Sequence, residues 1–251
     1  MPRPRSLLVL PALALTAVLA AGCAGADTGA SGAAPVAGAG SRLPSAPGTS
    51  PGVIGADGGP IQASPGTGSL GPGFVTPSAP PAPGGTLTPS PHSWSGVTVP
   101  SGYSVALLST DDSVSARRLA TAVRTWAAAN KVSVHPVPAH DPGNYLPAIQ
   151  AAIDLEPDLV ISTGDALADP LALVTSSWLD QKFLLLGAEL AEPTANVTAA
   201  VWKGTTARGG GSGTEPLSDA STFTVERARR GLEAGVAGIL RGYSGYVVKV
   251  G

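Results

Sequence analysis

The stretch Pro157-Asp158-Leu159-Val160-Ile161-Ser162-Thr163-Gly164-Asp165-Ala166-Leu167-Ala168-Asp169-Pro170 limits the fold more than any other part of the chain. Leu159, Val160 and Ile161 form an unbroken apolar run, the pattern of a strand covered on both faces, as in a parallel sheet flanked by helices. Gly164 lets the backbone turn tightly after that strand. Asp165 or Asp169 can cap the helix that follows, and Pro170 fits its first turn, where a missing amide costs little. Leu171, Val174 and Trp178 then fall at helical spacing on one predicted apolar face. In open parallel sheets ligands sit beyond the carboxyl ends of the strands, which is where Gly164, Asp165 and Asp169 stand. The same residues also serve as a plain turn and cap, and residue type alone leaves both roles open.

From Tyr103 onward strand and helix signals alternate, which predicts an α/β domain with a doubly wound parallel sheet. The expected strands are Val105 to Leu108, Val132 to Val137, Leu159 to Ile161, Phe183 to Leu186, Val197 to Trp202 and Tyr246 to Val250. Pro136 puts the second of these at an edge or a strand end. Right-handed crossovers give the order 2-1-3-4-5 for the first five. Thr110, Asp111, Asp112 and Ser113 make a turn and cap before a helix carrying Leu119, Val123 and Trp126, which Asn130 can end in a left-handed conformation. Leu146, Ile149 and Ile153 share a face of the next helix. Thr224 can cap a last one bearing Ala228, Leu232, Val236 and Ile239.

The first part of the chain is of another kind. Arg3 and Arg5 precede an apolar segment from Leu7 to Leu19, and Ala20, Ala21 and Gly22 lead to Cys23, the only cysteine. This is the order of an export signal, too short and too interrupted by Pro11 for a permanent membrane span. It resembles a bacterial lipoprotein signal, which implies that Cys23 is acylated, with chains such as palmitate, and holds the protein on the outer face of the cell membrane. From Ala24 to about Ser93 the sequence is Gly, Ala, Pro, Ser and Thr with few residues large enough to bury, and so reads as a disordered tether. The expected organisation is a signal peptide over 1–22, a tether over 23–95 and the α/β domain over 96–251.

Several functions lack support in the residues. The net charge is -2 with no basic run, so nucleic-acid binding has no electrostatic basis. His92, His135 and His140 have no zinc-ligand spacing, and an acylated Cys23 leaves no thiol, so neither metal nor cofactor is expected. Ser109 and Ser162 lack a nucleophile turn that would pair them with His140. Asp111 and Asp169 could be imagined as an acid/base pair, but no catalytic motif surrounds them, and no enzymatic activity is expected.

The series formed by the strand ending at Thr110-Asp111, the Asp158-Leu159-Val160-Ile161 strand with Gly164 and Asp169 after it, Lys182-Phe183, Ala195-Asn196-Val197-Thr198 and Val201-Trp202-Lys203 resembles the first lobe of the basic membrane protein family of substrate-binding lipoproteins. That resemblance implies the type I periplasmic-binding-protein fold and a nucleoside or other small polar solute passed to an ABC transporter permease. By position it implies ligand contacts at Asp111 and Asp169, with Thr110 and Gly164 shaping the loops. Trp202, ending a strand beside Lys203, is a candidate for stacking on a base. The chain departs from the family after Asp111, where an aromatic and an asparagine are absent, and in carrying little of the second lobe. A half cleft buries a solute poorly, so the alternative is a single-lobe surface scaffold or protein-interaction module that has lost solute binding, self-associating or joined to a partner where the second lobe would pack.

Overall fold

A computed structural model of the chain describes residues 63–76, 81–82, 84–110, 113–205 and 218–251. Cys23, Asp111 and the proposed signal peptide lie outside the described residues. Seven strands are present among these residues: β1 (Thr86–Leu87), β2 (Ser104–Ser109), β3 (Ser133–Pro138), β4 (Leu159–Thr163), β5 (Phe183–Leu186), β6 (Val197–Trp202) and β7 (Val247–Val250). Helices α1 (Val114–Asn130), α2 (Tyr145–Asp154), α3 (Ala168–Val174) and α4 (Val225–Leu240) connect or follow them. The sheet order is β1-β7-β6-β5-β4-β2-β3, with every neighbouring pair parallel. Counted from β2, this is the expected 2-1-3-4-5 arrangement, continued by β7 and closed by β1.

The apolar run of β4 explains its central place. Leu159 and Ile161 pack on one side with α1 and α4, and Val160 packs on the other with α2 and α3. All five residues of β4 are buried. β3 lies at the edge with mostly exposed residues, and Pro136 and Pro138 remove amides there, which blunts pairing with another chain. At the amino ends of the strands Asp158 ties β4 to β2: its Oδ2 accepts from Ser104 N at 2.7 Å and Ser104 Oγ at 2.9 Å. Burial, and secondarily the charge of Asp158, raises the pKa of the neighbouring Tyr103 above its ordinary value.

Thr224 caps α4 as expected, accepting from Arg227 N at 3.2 Å, and of the four residues expected to form the turn and cap before α1 it is Ser113 that caps, accepting from Ala116 N at 3.0 Å. Four local expectations need correction. Asn130 is the last helical residue of α1 and donates its side-chain amide to Trp126 O, while Lys131, at φ 58, takes the left-handed position. Leu146 is exposed; Ala148 and Ala152 join Ile149 and Ile153 on the buried face of α2. α3 begins at Ala168 with Leu167 at the cap position, so neither Asp165 nor Asp169 is its N-cap residue. α3 also ends at Val174, and a 3-10 turn over Thr175–Ser177 rotates Trp178 off the helical face, leaving it 41% exposed.

The boundary placed at residue 95 moves towards the N-terminus. Phe74 is 2% exposed and packs in the core against α4, its ring 6.2 Å from that of Tyr243. Leu87 is equally buried and lies in β1, which adds a seventh strand beside β7. Ser64 N donates to Leu240 O at 2.8 Å, Arg241 Nη1 to Thr67 Oγ1 at 3.1 Å, and Val247 N to Gly85 O at 3.1 Å. These residues sit in a Gly/Pro/Ser-rich background with no periodicity, yet they cover one side of the core and one edge of the sheet.

Candidate functional site

Strand order reverses between β2 and β4, because the chain leaves β2 towards β3 on one side and returns to β4 on the other. Leu108 pairs with Ser162, and the same offset places Thr110 level with Gly164 just beyond the two strands. Loops that diverge from such a point leave a crevice between them. Gly164 has φ 80 and donates its amide to Leu186 O at 2.9 Å. A methyl group built on it meets no atom within 4 Å, so the crevice is open there. Thr163 Oγ1 donates to Leu108 O at 3.2 Å and pins the two strand ends together. Thr110 is buried, and its carbonyl lies 3.3 Å from His140 Nδ1, which donates when that nitrogen carries the proton.

Asp169 is exposed in the first turn of α3, and Asp165 is half-buried in the turn before it, its carbonyl accepting from Ala168 N at 3.0 Å. The structure therefore brings Thr110 and Gly164 level and puts Asp169 on the element that leaves the same strand end. Asp111, the next residue after Thr110, lies outside the described residues. Trp202 requires correction. It is 2% exposed, its ring meets Phe223 edge-on at 5.4 Å, and Gly187 and Gly231 make room for it. No face of this indole is left for a base to stack on.

Two features of the strand ends were not read from the sequence. Gly187, at φ 85, continues the row after β5, and a methyl group there would come within 2.9 Å of Phe223. Glu189 is only half exposed in the loop after β5. Burial raises its pKa above the ordinary carboxylate value, with Lys249 acting weakly in the opposite sense. A carboxyl whose native pKa exceeds its unfolded value holds its proton more tightly in the fold. Its ionised form therefore costs stability at neutral pH, and the cost disappears as pH falls through the raised native value. Glu189→Gln should accordingly raise the thermal midpoint at neutral pH, and the gain should vanish below the ordinary carboxylate range. At Gly164 the strain is conformational only, and Gly164→Ala should cost about 1–2 kcal/mol in chemical denaturation.

The cavity of about 660 Å³ found among the described residues lies away from this rim, along α4. No metal-binding cluster of His, Cys, Asp or Glu is present among the described residues, and no described helix is long and apolar enough to cross a membrane.

No protein-family model matches the sequence, and no curated protein sequence matches it. Solved structures do. A fragment from Peptoclostridium difficile 630 described as a lipoprotein aligns with 17% identity and a TM-score of 0.41, over 55% of this chain and 98% of its own. A solute-binding protein of an ABC transporter system from Aeropyrum pernix K1 aligns with 22% identity and a TM-score of 0.37, over 40% of this chain and 29% of its own. A periplasmic ribose ABC transporter protein from Conexibacter woesei DSM 14684 aligns with 17% identity and a TM-score of 0.34, over 61% of this chain and 55% of its own. The chain thus spans about half or less of these two transporter proteins, and its structural neighbours include solute-binding proteins and a lipoprotein.

Proposed function

We propose that the chain is an extracytoplasmic solute-binding lobe, lipid-anchored through Cys23, whose rim at Thr110, Gly164 and Asp169 holds one side of a small polar solute for an ABC transporter permease. The observation that carries the reading is the level pair Thr110 and Gly164 at the point where strand order reverses. Asp111 belongs to the proposal by sequence position. An ionised carboxylate accepts two hydroxyls, as a ribose presents them, which supports the nucleoside-like ligand implied by the resemblance to the basic membrane protein family. A thermal-shift screen over nucleosides and pentoses tests it. A ligand at about 100 times its dissociation constant should stabilise the fold by roughly 2.7 kcal/mol. Asp169→Asn should remove the shift. No shift for any such solute at millimolar concentration counts against the reading.

A second reading has its own support at the same end of the molecule. Val114 and Val225, at the first turns of α1 and α4, are 55% and 39% exposed, and Arg118 Nη1 joins these helix starts by donating to Phe223 O at 3.3 Å. Exposed apolar side chains there suit a partner lobe or a second copy. Sedimentation should then show a dimer that Val114→Asp dissociates. A monomer at high concentration contradicts this second reading and leaves the first intact.

A further inference from the structure

The groove along α4 has an apolar wall, a fixed wall and an unmatched cation. Trp94, Val97 and Leu240 contribute apolar surface, and Trp126 reaches it from α1. The segment that supplies Trp94 and Val97 is folded into consecutive turns. His92, at φ 66, accepts at its carbonyl from both Ser95 N at 3.1 Å and Ser95 Oγ at 2.7 Å, and Val97 N donates to Trp94 O at 3.1 Å. The wall is held by its own hydrogen bonds.

Along α4 the charges are unequally satisfied. Arg229 binds Glu226 at 2.8 Å and Glu233 at 2.6 Å, which engages both carboxylates that line the groove from this helix. Arg230, half-buried on the same lining, forms neither a salt bridge nor a hydrogen bond among the described residues, and its Nε is sealed from water with no acceptor. Glu226, whose ionisation Arg230 favours, is already committed to Arg229. A partly desolvated guanidinium without an acceptor is costly, and with Nε sealed off a carboxylate or sulfonate would fit the fork of its two terminal Nη groups. The volume of about 660 Å³ lies in the range of small-molecule sites.

We propose that this groove is a second binding site, independent of the rim, for a small amphipathic anion: an aromatic or aliphatic body against Trp94, Val97 and Leu240, with its carboxylate or sulfonate on the Arg230 guanidinium. The probe is anilinonaphthalene sulfonate, compared with its uncharged relative phenylnaphthylamine, by fluorescence titration of the purified protein. The sulfonate should bind saturably and at least about tenfold more tightly than the uncharged dye, the size of one charge-assisted hydrogen-bond pair. Arg230→Leu should abolish that difference, Arg230→Lys should restore part of it, and Trp94→Ala should weaken both dyes. Arg124→Leu, an exposed charge on α1 outside the groove, should change neither. Unsaturable fluorescence, equal affinity for the two dyes, or sulfonate binding that survives Arg230→Leu overturns the proposal. The two-dye comparison on the unmodified protein decides it even where a variant fails to fold.

Discussion

Phe74→Ala is expected to destabilise the protein by about 3–5 kcal/mol, the range for emptying a buried phenylalanine site, and to do so from a position that composition assigns to a tether. The ring is 2% exposed and belongs to the same core cluster as Leu159 and Ile161 of β4. Gly238 of α4 offers no side chain that could fill the space, since the ring itself lies about 3.5 Å from where a methyl group would stand. The site therefore collapses poorly. Loss of the ring also loosens the chain between the Ser64 to Leu240 hydrogen bond and β1, which covers the edge of β7. Urea denaturation measures the effect. A loss of less than about 1 kcal/mol, the cost of an ordinary surface change, would show that residues 63–95 are not part of the cooperative unit.

The second large effect is expected at Asn196. This residue is 1% exposed, and its side-chain amide donates to three backbone carbonyls, Thr175 O at 3.0 Å, Trp178 O at 2.8 Å and Gln181 O at 3.1 Å. Its Oδ1 accepts from Thr194 Oγ1. It holds the 3-10 turn and the entry to β5 against the start of β6, which no helix connects. Asn196→Ala should cost about 2–3 kcal/mol, because Thr175 O and Trp178 O keep local partners while the rest of the set is lost. Asn196→Asp, nearly the same shape, should cost more at neutral pH, about 3–5 kcal/mol, since it turns a donor into a buried charge facing carbonyl oxygens. The difference between the two variants should shrink as pH falls and the new carboxyl takes up a proton. Equal stability of the asparagine and aspartate proteins at neutral pH would contradict this role.

Which features could be read in advance follows from how each is encoded. Unbroken apolar runs such as Leu159 to Ile161 and Phe183 to Leu186 mark central strands because burial on both faces leaves no polar positions. Gly164 was legible because a glycine after such a run has few other reasons to be there, and Thr224 because a hydroxyl before an apolar period is a cap. Phe74 was not, since one aromatic in an aperiodic background carries no pattern. Trp178 and Leu146 misled because helical spacing extends past the point where the helix ends or meets the core. Trp202 misled because proximity to the strand ends says nothing about which face of the sheet a side chain joins; its ring belongs to the face covered by α4. Asn196 stood out only within the resemblance. Its work is done through three carbonyls that lie 15 to 21 residues before it, and backbone acceptors leave no trace in residue types.

The rim is the part of the account on which the functional reading stands. Backbone amide NMR with ribose and nucleosides added to the folded protein tests it most directly. Saturable shift changes centred on the amides of Thr110 and Gly164, at the level where β2 and β4 diverge, are the expected result. Amides at those two positions that stay unmoved at millimolar solute, or changes confined to the groove along α4, would contradict it.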